Sequence, residues 1–121
     1  MLTTLNDSDG YWCECAAFTA QRPILLGCRQ TRTPRLALRW LRGQALRIAE
    51  QLDASAALPV REWCGSAVEH ETALRVLIAG DLYAVTTYDD EARYVLSARP
   101  VRRVSFLEWW SDVDPEVLQA A

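Results

Sequence analysis

Residues 34–53 place their apolar side chains on one side of a helix, and that one-sidedness limits the folds open to the chain. At about 3.6 residues per turn, Ala37, Leu38, Leu41, Ala45, Ile48, Ala49 and Leu52 form a single broad stripe. Thr33 stands where an N-cap oxygen is needed. Pro34 suits the first helical position, because an N–H there would be unpaired anyway. Arg35, Arg39 and Glu50 lie away from the stripe, with Arg42 nearer its border. Gly43 lowers the helical propensity by about 1 kcal/mol without breaking the pattern. Such a helix must bury its apolar face against a second layer. A chain of 121 residues has room for one core of that kind.

The flanking sequence supplies candidates for that layer. Residues 11–19 alternate, with Tyr11, Cys13, Cys15 and Ala17 opposed to Trp12, Glu14, Ala16 and Phe18. Residues 24–28 follow after a polar interval, placing Ile24, Leu26 and Cys28 on one side, so the two stretches read as a β-hairpin. Residues 54–59 read as a connector, since Pro59 discourages a continued helix. Residues 62–66 fit a loop or the start of a short strand. Residues 72–79 alternate again, Gly80-Asp81 signals a tight turn, and 82–88 and 93–98 continue the β pattern as a three-stranded meander. Arg99-Pro100 ends the last strand or puts it at a sheet edge. Ser105 and Glu108 form a candidate capping box for a short helix bearing Trp109 and Trp110, and Asp114-Pro115 opens a last turn. The expected fold is α+β: a small two-layer domain over residues 1–121, with a mainly antiparallel sheet and the order β-β-α-β-β-β-α. A polar N-terminal tail and a short helical C-terminal segment complete it.

Charge is distributed unevenly. The net charge is -3, and all 13 basic side chains other than the single histidine are arginine. Residues 1–60 carry +2 and residues 61–121 carry -5, and no acidic residue lies between Glu14 and Glu50. The helix therefore offers a basic face centred on Arg32, Arg35, Arg39 and Arg42, with Trp40 just beyond its apolar stripe. Arginine forks suit carboxylates and phosphates alike. The acidic second half would repel a nucleic-acid backbone unless it faced away, which favours an acidic protein partner. The plainer reading is a solvated outer helix face balanced by acids elsewhere. Trp109 and Trp110 are adjacent, so a helix cannot aim both squarely into one core; one is expected at an edge or an interface, including that of a homodimer.

Catalytic and metal-binding patterns are weak. Cys13, Cys15, Cys28 and Cys64 are spaced as C-x-C and then at long intervals, unlike the paired knuckles that wrap tetrahedral zinc. Small buried thiols are the simpler account. His70 sits between Glu69 and Glu71, and a Cys-His pair with Cys28 or Cys64 is only arithmetic. Asp89-Asp90-Glu91 could meet a cation, although a hairpin turn explains it more cheaply. No nucleophile elbow, phosphate loop, zinc-protease or dinucleotide motif is present.

The expectation is a cytoplasmic, non-enzymatic protein-binding module without cofactor or membrane association, such as an inhibitor, immunity protein or adaptor. Arg32, Arg35, Arg39, Arg42, Trp40, Trp109 and Trp110 are its candidate partner-binding residues. Nucleic-acid binding is the alternative, with a zinc- or thiol-dependent protein behind it.

Overall fold

A computed structural model describes residues 8–102. The expected C-terminal helix, with Trp109 and Trp110, lies outside the described residues. Strands β1 (Ser8–Thr19) and β2 (Pro23–Thr31) form the expected hairpin. Its turn is built on Thr19, whose hydroxyl accepts from the amides of Gln21 and Arg22 and donates to the Arg22 carbonyl. Helix α1 (Pro34–Gln51) begins as its sequence requires, with the Thr33 hydroxyl accepting from the Leu36 amide and Pro34 opening the helix.

Two further helices follow where a connector and a strand were expected. Helix α2 (Ala54–Gly65) runs through Pro59, and α3 (Ala67–Ile78), with Ala79 as its C-cap, takes the place of the expected strand over residues 72–79. Proline removes a single backbone bond near the start of α2, toward the exposed Ser55. The stripe Ala57, Val60, Trp63 and Cys64 is buried at helical spacing. In α3 the short run Ala73–Ala79 satisfies both periods. Ala73 and Leu77 enter the core while Ile78 is exposed, so the helical period prevails. Local chemistry agrees. Ser66 caps the Glu69 amide, and Gly80 ends the helix with its N–H on the Leu77 carbonyl while the Asp81 N–H reaches Val76. Gly80 takes φ +92°, as that left-handed stop demands.

Strands β3 (Tyr83–Tyr88) and β4 (Ala92–Arg102) pair as expected and complete an antiparallel sheet of order β2-β1-β4-β3. The chain is thus a small α+β domain in the order ββαααββ. Pro100 continues β4 opposite Tyr11, beyond the reach of β3, where a missing N–H costs no ladder bond on that side.

The helices cover one sheet face. Tyr11, Cys13 and Cys15 of β1, Leu96 and Ala98 of β4 and Tyr83 of β3 share the core with the α1 stripe, and Ala17 is buried on the same face of β1. Cys13 and Cys15 are fully enclosed, and burial raises each thiol to about 11. At the far end of β1 the register against β4 slips between Ser8 and Gly10. There Gly10 has φ +141°, and a Cβ would collide with the Thr31 carbonyl.

Two glycines should therefore respond in opposite senses. Gly10→Ala is expected to lose about 1–3 kcal/mol of stability through backbone strain. Gly43, exposed in α1 with open space around it, should gain about 0.5–1 kcal/mol on replacement by alanine. Urea unfolding of both variants checks the pair, and a neutral Gly10→Ala would contradict the close approach of Gly10 to the Thr31 carbonyl.

Candidate functional site

The sheet order leaves β2 at an edge, and its sequence makes that edge unusual. Ile24, Leu25 and Leu26 are 39%, 46% and 48% exposed. The β1–β2 register carries Cys15 to Gly27 but Ala16 to Leu25, so Leu26 is an extra residue in a bulge. The bulge breaks the expected common side of Ile24, Leu26 and Cys28. Ile24 pairs with Ala17 of the core face, whereas Cys28 pairs with Glu14 of the opposite one.

Helix α1 braces this strand. The Trp40 ring lies against Gly27, where even a Cβ would stand 3.5 Å from it, so Trp40 is a half-buried anchor within the chain. Leu36, a turn earlier, is exposed. Between α1 and the hairpin runs a groove of about 410 Å³, floored by Ala17, Ile24, Leu26 and Ile48 and carrying Arg47 and Glu91 on its walls.

The arginines divide into two sets. Arg32, Arg35 and Arg39 are exposed, as are Arg22 and Arg29 beside them on the hairpin. Arg42 does something else: its Nε–H donates to the Cys64 carbonyl at 2.8 Å, at the C-terminal end of α2. The neighbouring Trp63 carbonyl accepts from the Ser66 amide and lies 2.8 Å from His70 Nε2. Arg42 thus supplies a donor to a last-turn carbonyl, His70 adds a second contact to one that the Ser66 amide already meets, and the Arg42 charge suits the negative end of the helix dipole. The Trp63 indole in turn donates to the buried Tyr83 hydroxyl at 2.8 Å and meets the His70 ring edge-on, with centroids 5.2 Å apart.

This arrangement places the other chemical candidates. His70 is occupied by Trp63 rather than by a thiol, and the Cys64 thiol donates to the Arg42 carbonyl at 4.0 Å. Burial raises the Cys64 thiol, with Arg42 and Arg61 opposing that shift. Cys28 projects from the face opposite Cys13 and Cys15, so the hairpin cannot gather the three around one ion. Among the described residues no group of three or more His, Cys, Asp or Glu side chains is disposed to hold a metal. Asp89 serves the β3–β4 turn, accepting from the Glu91 and Ala92 amides at 2.7 Å and from the Tyr94 hydroxyl at 3.0 Å. No helix of the described residues is long and apolar enough to cross a membrane.

Of the expected site residues, then, Arg32, Arg35 and Arg39 are available at the surface, Arg42 is also exposed but hydrogen-bonded to Cys64, and Trp40 is half-buried against Gly27. The exposed residues of β2 were missed, although Ile24-Leu25-Leu26 bracketed by Arg22 and Arg29 was the available signal. Comparison of the chain with protein-family models, curated proteins and solved structures gives no match.

Arg42→Ala is expected to cost about 1–2 kcal/mol, since it strips a charged donor from a helix end. Arg35→Ala and Arg39→Ala should stay within about 0.5 kcal/mol of the parent. Equal losses at all three in urea unfolding would refute this division.

Acid titration tests the β3–β4 turn. The amide of Glu91 is the main cause holding the Asp89 carboxyl below its usual range. A depressed folded pKa adds stability above the unfolded value of about 3.9, and that contribution disappears as pH falls through the folded value. Asp89→Asn should therefore lie below the parent in stability at neutral pH and converge with it in acid. A gap that widens in acid would contradict the assignment.

Proposed function

We propose that the chain is a non-enzymatic protein-binding module, of the inhibitor, immunity-protein or adaptor kind, that takes an acidic, extended segment of its partner as an added strand beside β2. The observation that carries this reading is the exposed apolar run Ile24-Leu25-Leu26 on an edge strand set within an acid-free stretch of sequence. A free edge offers backbone donors and acceptors, which supply affinity without regard to sequence. Ile24 and Leu25 belong to opposite faces of the strand, and would select alternate apolar side chains in the partner. Arg22, Arg29 and Arg32 flank the run, and Arg35 and Arg39 extend the positive field along α1. That field would steer carboxylates to the edge and weaken with salt.

Affinity isolation from the native cell tests the proposal, using the full chain and Leu25→Glu in parallel. Leu25 is exposed, so the variant is expected to fold and to lose at least about tenfold in affinity for an acidic protein that the parent recovers. Arg29→Glu should weaken the same partner and flatten its salt dependence. Recovery of nucleic acid that survives Leu25→Glu would overturn the reading in favour of a nucleic-acid-binding protein.

A further inference from the structure

The second face of the sheet, which none of the described helices covers, invites a different question from the β2 edge. At its centre stand the side chains of the two interior strands, β1 and β4, that miss the core. Ala16 and Val95 stand paired at its middle, Trp12 opposes Arg99 towards one end, and Phe18 opposes Arg93 towards the other. Not one of these six belongs to the buried cluster or to the partly buried residues packed on it. The Arg93 guanidinium lies 4.7 Å from the centre of the Phe18 ring, and the Trp12 indole donates to Glu14 on the same face. The middle of the face thus carries the apolar Ala16–Val95 pair beside the polar Glu14–Ser97 pair, with an exposed arginine towards each end.

We propose that residues 103–121 of the same chain dock on this face. The chain leaves the sheet at the end of β4, which is an interior strand, so the segment is delivered to the middle of the sheet rather than to its edge. Within it Phe106, Trp109, Trp110 and Val113 recur at i, i+3, i+4 and i+7, the spacing of one helical stripe. The two tryptophans straddle the centre of that stripe by about 50° each. A sheet offers a broad, nearly flat surface on which both rings can lie, unlike the narrow seam of a second helix. A helix over 106–113 measures about 12 Å, close to the ~14 Å breadth of four strands.

Charge selects the same occupant. After Arg103 the segment has Glu108, Asp112, Asp114 and Glu116 and no basic side chain, against Arg93 and Arg99 at the two ends of the face; the carboxylate that β1 places between them, Glu14, is engaged by the Trp12 indole. A second copy of the face would instead bring a second Arg93 and Arg99 to the contact. Tethering adds an effective concentration in the millimolar range, which a separate copy lacks.

Nuclear magnetic resonance of the full chain, with its mass measured over a range of concentrations, provides the test. Trp110→Ala should shift the amides around Ala16 and Val95 and lower Tm by about 5 °C. Arg99→Glu, at an exposed position that leaves the core intact, should shift the indole signals of Trp109 and Trp110; it decides the matter alone if Trp110→Ala does not fold. The mass is expected to stay that of a monomer. Tryptophan signals indifferent to Arg99→Glu would overturn the proposal. So would a concentration-dependent dimer that Arg99→Glu dissociates, which would identify a second copy as the occupant.

Discussion

The close approach of α1 to the middle of the sheet is the contact on which everything else rests. It is made by small side chains on both sides. Ala37, Ala45 and Ala49 on the helix and Cys13, Cys15, Ala17 and Ala98 on β1 and β4 are all enclosed. Leu41 and Leu96 supply the volume between them. Small residues let two layers come near enough for dispersion contacts to accumulate, and a reduced thiol serves there as a compact apolar group. The two strand cysteines are explained by packing, and their raised thiols agree with it. A thiolate in that position would have to be stripped of water, and the Thr31 hydrogen bond at Cys13 offsets only part of that loss.

Once α1 is seated, its remaining surface is divided by what it meets. The flank toward β2 supplies Trp40, which holds the edge strand through Gly27. The other flank supplies Arg42, which reaches the end of α2. That end is where α2 turns into α3, and two carbonyls of its last turn, those of Cys64 and Trp63, are met by Arg42 and His70 from different directions. The buried Trp63–Tyr83 bond then ties the same turn to β3. One short stretch, Trp63-Cys64, therefore registers all three described helices against the sheet. Arginine suits the position because its planar fork can reach a backbone carbonyl while the aliphatic stem packs along the helix.

This division also explains what was legible in the sequence. Thr33-Pro34 and a seven-residue apolar stripe announce α1, because cap, first turn and periodicity agree. Strands β1, β3 and β4 were visible through alternation, and the β3–β4 turn through Asp89. Helix α3 was misread because the short, mostly apolar run Ala73–Ala79 fits either period; Ser66 three residues before Glu69 and Gly80 just past the end were the better witnesses. Helix α2 was hidden by Pro59, whose cost is small near a helix start facing water. The bulge at Leu26 is a tertiary matter with no local marker, and it alone decides which face Cys28 takes. Arg42 could not be told from Arg35 or Arg39, since all three are arginines on one helix and only the position of α2 separates them.

The β2 edge and the open sheet face are exposed for different reasons. Edge strands are commonly shielded by lysine, proline or a bulge, which prevent copies of one protein from pairing edge to edge. Here the shield is partial: Pro23 begins the strand, Leu26 bulges, and no lysine occurs in the chain. Arg22, Arg29 and Arg32 complete it, because two copies meeting along β2 would bring like charges together over an interface too short to separate them. An acidic strand meets the same arginines with the opposite sign. The features that oppose self-association therefore favour the proposed partner, and the edge can stay apolar without being indiscriminate.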